Sequence, residues 1–140
     1  MSSGGDRKRV VWKLCLLPLA GWMVLALGGY VPTERLAGAA GVRAMLLGQG
    51  LVALVVFATL LSAMRRMVGR SPVDGFKIAL TAGVVRFFVT VPLLAGVAWG
   101  GRVPVIAFLV WAAITYVVMV MLEAIALTLW TNYLESEKRC

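Results

Sequence analysis

The feature that most constrains this chain is the separation of its charged residues from long apolar runs. Of its 140 residues, 61% are hydrophobic and only 14% are charged, whereas a soluble domain carries about 25% charged residues. Nearly all the charges lie in short stretches between apolar runs, each of which matches or exceeds the roughly 20 residues that a helix needs to cross a bilayer. This segregation is typical of an integral membrane protein.

The apolar runs predict an all-α fold in a single domain. Four transmembrane helices arranged as two hairpins are expected, joined by polar connections and one very short turn at Gly101-Arg102. A signal peptide is less favoured for the first run, which is longer than the about 7–15 residues of such an apolar region. The predicted spans cover residues 10–31, 44–64, 78–100 and 103–130.

The distribution of Lys and Arg predicts the orientation of these spans. With four spans, ten basic residues fall on one side and three on the other. Basic residues are enriched in cytoplasmic loops, so both termini and the 65–77 loop are predicted to be cytoplasmic. The ten are Arg7, Lys8, Arg9, Lys13, Arg65, Arg66, Arg70, Lys77, Lys138 and Arg139, and the three are Arg35, Arg43 and Arg102.

Composition also narrows the classes of function. In a soluble protein, a net charge of +8 would suggest nucleic-acid binding. Here the basic residues flank the predicted spans, where they face anionic lipid. The sequence has no histidine, the commonest metal ligand and general base. Its two cysteines, Cys15 and Cys140, form no metal or nucleophile motif. We therefore expect no enzyme activity, cofactor, metal site or nucleic-acid partner.

Two ionisable residues lie well inside the predicted spans, Arg86 and Glu123. Arg86 is about 13 Å along its helix from Lys77, and Glu123 is about 10 Å from Trp130, so their depths from the cytoplasmic side agree. Counted from the Gly101-Arg102 turn, the two depths differ by about 9 Å, much of which the long Arg86 side chain can recover. Charged residues at such depth usually face protein or water. We hypothesise an intramembrane ion pair. It could simply join two helices, one member could meet a charge on a partner subunit, or Glu123 could hold an ion or proton.

Small residues in the third predicted span give a further set of candidates. Ala79 and Gly83 form one small-x-x-x-small pair, and Gly96 and Gly100 form a G-x-x-x-G pair. This spacing lets helices approach closely. Packing within the monomer is the default expectation, and self-association through the same residues is the alternative.

The second half of the chain resembles ATP synthase protein I, a small accessory subunit of bacterial F-type ATP synthases. The stretch Arg86-Phe87-Phe88-Val89-Thr90-Val91-Pro92 is similar to the third helix of that family. Phe108-Leu109-Val110-Trp111, followed by Tyr116 and then Met121-Leu122-Glu123, is similar to its fourth helix. The first half matches the family only in hydropathy.

This resemblance implies a non-enzymatic role in assembling the membrane sector, with the c subunits of the rotor ring as partners beside the lipid bilayer. It implies that Arg86 is a temporary partner for the buried rotor carboxylate, since an isolated carboxylate in lipid needs a partner or a proton. Two alternatives stay open. One is a small ion or solute transporter or channel subunit that uses Glu123, and the other is a structural subunit of another membrane complex.

Overall fold

A computed structural model describes residues 4–67 and 71–139 of the chain. Within these ranges the backbone is helical almost throughout, and each helix is long and apolar enough to cross a membrane. This agrees with the membrane protein that the apolar runs predict. The helices are α1 (Gly4–Met67), α2 (Pro72–Trp99) and α3 (Val105–Arg139).

The predicted arrangement of four transmembrane helices in two hairpins is wrong, because the described residues form three helices. The first two predicted spans, 10–31 and 44–64, belong to one 64-residue helix, α1. The expected polar connection between them, 32–43, is helical apart from a kink at Gly38. Its Ala, Leu, Glu and Arg residues all have high helix propensity, which explains why no separate loop forms there.

The kink at Gly38 lets α1 fold back on itself. Gly38 has φ 61° and ψ −165°, a conformation that is essentially restricted to glycine. The Sγ atom of Cys15 lies 4.0 Å from the Sδ atom of Met64, 49 positions later. A straight helix would separate these residues by about 74 Å. The first limb of α1 (residues 4–37) therefore packs against its second limb (residues 39–67).

Local chemistry defines both ends of α2. At its start, Ser71 Oγ accepts a hydrogen bond from the Asp74 backbone N–H at 3.2 Å and donates one to the Asp74 carboxylate at 2.8 Å. This caps the helix and places a negative charge in its first turn, where the helix dipole favours it. At its end, the Gly100 N–H bonds to Gly96 O, and Gly101 follows with φ 63°. This left-handed residue turns the chain toward α3.

Two apolar clusters hold the helices together. In the central cluster, Val52 and Val56 of the second limb pack with Ala112 and Met119 of α3. The other group, which we name the end cluster, consists of Leu14, Leu60, Met64, Met67, Ala126 and Trp130. Since it joins residues near the start of α1, the end of α1 and the end of α3, all three lie at one end of the bundle.

Candidate functional site: a buried ion pair between α2 and α3

Arg86 of α2 and Glu123 of α3 are in direct contact inside the bundle. The Nη1 atom of Arg86 donates to Glu123 Oε2, and its Nη2 atom donates to Glu123 Oε1. Both residues are buried, with Arg86 only 2% exposed and Glu123 6% exposed. The structure thus brings together the two ionisable residues that the sequence placed inside the spans, in the two-point geometry that suits a guanidinium and a carboxylate.

A third residue, Thr59 of the second limb of α1, completes this contact. Arg86 Nε donates to Thr59 Oγ1 at 2.8 Å, and the Thr59 hydroxyl in turn can donate to the Val55 carbonyl at 2.8 Å. The helical backbone of α1 thereby fixes the hydroxyl that receives Arg86. Three elements meet at this site, and the guanidinium has a partner on each of its nitrogen atoms.

The Arg86–Glu123 pair and its hydrogen bonds neutralise two charges that would be costly if they were left unpaired in the apolar interior. An unpaired charge in an apolar interior costs several kcal/mol, and a buried pair offsets this only with good geometry and further hydrogen bonds. Arg86 and Glu123 meet both conditions through their double contact and through Thr59. Because both carboxylate oxygens of Glu123 are engaged, the geometry favours a helix-joining role over the binding of a free ion.

Other polar side chains in the interior do not extend this network. Gln49, Thr90 and Thr115 are buried, yet their side chains have no hydrogen-bond partner among the described residues. Among the described residues, Thr59 is the side chain outside the pair that forms a hydrogen bond with Arg86. The described side chains therefore form a local cluster around Arg86 rather than a hydrogen-bonded chain along the bundle.

The small residues selected from the sequence do not mediate close helix approach within the monomer. A Cβ atom built on Gly83 or Gly96 would meet nothing within 4 Å, and one on Gly100 would meet only its own helix. Ala79 differs, since it packs against the end cluster. The structure shows no helix packing at these three glycines, because α2 is the least buried of the described helices.

The close approach lies instead between α1 and α3. A Cβ on Gly48 would come within 2.9 Å of the Phe108 carbonyl oxygen, and one on Gly29 within 2.5 Å of the Trp111 ring. The sequence does carry a signal for the first contact, because Ala44 and Gly48 have the same small-x-x-x-small spacing.

Comparison of the chain with family models, with characterised proteins and with solved structures found no match. The resemblance to ATP synthase protein I therefore rests on the residues of the second half alone.

Proposed function

We propose that this chain is a non-enzymatic membrane accessory protein that assists assembly of the membrane sector of an F-type ATP synthase, and in particular its c-ring. The observation that carries the proposal is the exposed apolar surface of α2, of whose most apolar stretch only 11% is buried. Arg86 lies on this helix, and because Glu123 already neutralises it, a rotor carboxylate reaches Arg86 only in competition with Glu123. The resemblance of the second half of the chain supplies the identity of the partner.

The surface of α2 is suited to contact with other membrane helices. Within the most apolar 18-residue stretch of each helix, 11% is buried in α2, compared with 50% in α1. Phe88 is 70% exposed and Trp99 is 91% exposed, and Gly96 leaves open space at the helix surface. Helices in lipid associate through van der Waals packing at such surfaces, where small residues permit close contact. This supports a protein partner along α2.

The ion pair defines how a rotor carboxylate would engage the protein. Each guanidinium nitrogen of Arg86 already donates to Glu123 or Thr59, and Arg86 is only 2% exposed, so a second carboxylate binds by replacing Glu123. The two carboxylates then compete for one guanidinium. In this mechanism Glu123 pairs with Arg86 while no partner is present and pairs with it again after the partner dissociates. The contact between Arg86 and the rotor carboxylate is therefore temporary.

We further propose that the protein lies in a bacterial inner membrane with both termini in the cytoplasm. The end cluster groups the start of α1 with the ends of α1 and α3. Nine of the ten Lys and Arg residues predicted to be cytoplasmic belong to segments at this end, Arg70 lies outside the described residues, and three basic residues belong to the other end. The excess of basic residues on cytoplasmic segments favours this orientation.

Co-purification with c subunits tests the proposal. We expect tagged wild-type protein to recover c subunits from solubilised membranes, and Glu123→Gln to recover more because it frees Arg86. Arg86→Gln should recover none. Thr128→Val, an exposed hydroxyl one turn beyond Glu123 on α3, is the matched control and should behave as wild type.

Failure to recover any c subunit, together with normal c-ring assembly after deletion of the gene, would refute the assembly role. Cation flux in liposomes that contain the purified protein, abolished by Glu123→Gln, would instead favour a transporter that uses Glu123.

A further inference from the structure

An open groove lies on the exposed face of the second limb of α1, close to its end. Its volume is about 280 Å³, and it is lined by Ala58, Leu61, Ser62, Arg65 and Arg66. All five residues are on a single helix, at the spacing of i, i+3, i+4, i+7 and i+8 that brings residues to one face. The groove is far along the chain from Arg86 and shares no residue with the ion-pair site.

One end of this groove is strongly basic. Arg65 and Arg66 are in the last turn of α1, and both are exposed. Among the described residues, no carboxylate forms an ion pair with either of them. Ser62, one turn earlier on the same face, adds an exposed hydroxyl. Guanidinium groups form two-point hydrogen bonds to phosphate oxygens, and a serine hydroxyl can donate one more.

The other end of the groove is apolar. Leu61 is 39% exposed, and Leu54, on the same face and further from the arginines, is 69% exposed. Ala58 lies between them and is also exposed. The face thus changes from basic to apolar in the direction that leads from the end of the helix into the hydrocarbon layer. This order matches a phospholipid, whose phosphate lies at the interface and whose acyl chains extend inward.

We propose that Ser62, Arg65 and Arg66 form a binding site for the phosphate of an anionic phospholipid, with an acyl chain along Leu61, Ala58 and Leu54. Such a site differs from general attraction to an anionic surface because it depends on particular side chains. It does not depend on the proposed assembly role.

Native mass spectrometry of the detergent-purified full-length protein tests this site. The protein is mixed with cardiolipin, phosphatidylglycerol or phosphatidylcholine, and the retained lipid is counted. The test variant is Arg65→Gln with Arg66→Gln. The control variant is Lys138→Gln with Arg139→Gln, which removes the same charge from exposed residues at the end of α3.

We expect the wild type to retain the two anionic lipids and not phosphatidylcholine. The Arg65/Arg66 variant should weaken retention by about tenfold, the equivalent of one lost charge-assisted hydrogen bond. The Lys138/Arg139 variant should retain lipid as the wild type does. Equal weakening in both variants would overturn the proposal, since it would indicate only general attraction. Equal retention of phosphatidylcholine, or full displacement by an equal concentration of inorganic phosphate, would overturn it as well.

Discussion

Arg86 and Glu123 join α2 to α3 through a two-point ion pair, although they are 37 positions apart in the chain. The pair also reaches α1, because Arg86 Nε donates to Thr59. Since only 11% of the most apolar stretch of α2 is buried, this polar cluster is a main attachment of α2 to the bundle.

Replacement of Thr59 by Val should destabilise the protein. The change keeps the shape of the side chain but removes the acceptor for Arg86 Nε, and a buried donor left without a partner costs about 1–3 kcal/mol. The measurement is the free energy of unfolding in mixed micelles. Thr128→Val is the control, since Thr128 is exposed and bonds only to the Ala124 carbonyl of its own helix. Equal losses in the two variants would show that the Thr59 contact adds nothing.

Gly38→Ala should destabilise the kink in α1. Open space surrounds this glycine, so any loss reflects the backbone conformation alone, at a cost of about 1–3 kcal/mol. Gly28→Ala is the matched control, because Gly28 also has open space around it but is helical and its φ is not positive. Thermal unfolding in detergent should show a lower Tm for Gly38→Ala only. An unchanged Tm would mean that Gly38 does not need its left-handed conformation.

The folding back of α1 predicts a chemical cross-link between its two limbs. In a Cys140→Ser background, a short bifunctional thiol reagent should link Met64→Cys to Cys15, because the sulfur atoms of Cys15 and Met64 lie 4.0 Å apart and the spacer of the reagent covers the extra distance that the shorter cysteine side chain leaves. Mobility on a non-reducing gel reports the product. Leu54→Cys, which faces outward on the same limb, should not react with Cys15. Absence of the cross-link in Met64→Cys would contradict the packing of the two limbs.

Gly48→Ala should weaken the contact between α1 and α3. The added methyl group would come within 2.9 Å of the Phe108 carbonyl oxygen, so the backbones must move apart, at a cost of about 1–3 kcal/mol. Gly50→Ala adds the same group two residues later, where nothing lies within 4 Å. Unfolding in mixed micelles should separate the two variants, and equal stability would show that the close approach is absent.

The sequence predicts part of this structure well, and for clear physical reasons. Apolar runs longer than a bilayer is thick identify helices that can cross a membrane, and residues 4–67 and 71–139 form three such helices. Residue counting from the cytoplasmic side placed Arg86 and Glu123 at similar depth, and in the structure they are in contact. Depth follows from the rise per residue of a helix, so it can be estimated without knowledge of the fold.

The remaining features depend on how helices are placed around one another. The partner role of Thr59, 27 positions before Arg86, requires knowledge of which face of α1 meets α2. Ala44 and Gly48 show the same spacing as Gly96 and Gly100. Only the structure shows that Gly48 lies at a helix contact and that Gly96 lies at the surface. The helical connection around Gly38 was missed because polar composition alone does not exclude helix.

Arg86 and Glu123 stabilise each other inside the bundle, and charge reversal tests this pairing most directly. Arg86→Glu places two buried carboxylates together and should cost at least about 3–5 kcal/mol of unfolding free energy, the usual loss when one partner of a buried pair is removed. The combination of Arg86→Glu with Glu123→Arg restores opposite charges and should recover part of that loss. A double variant as unstable as Arg86→Glu alone would contradict the pairing.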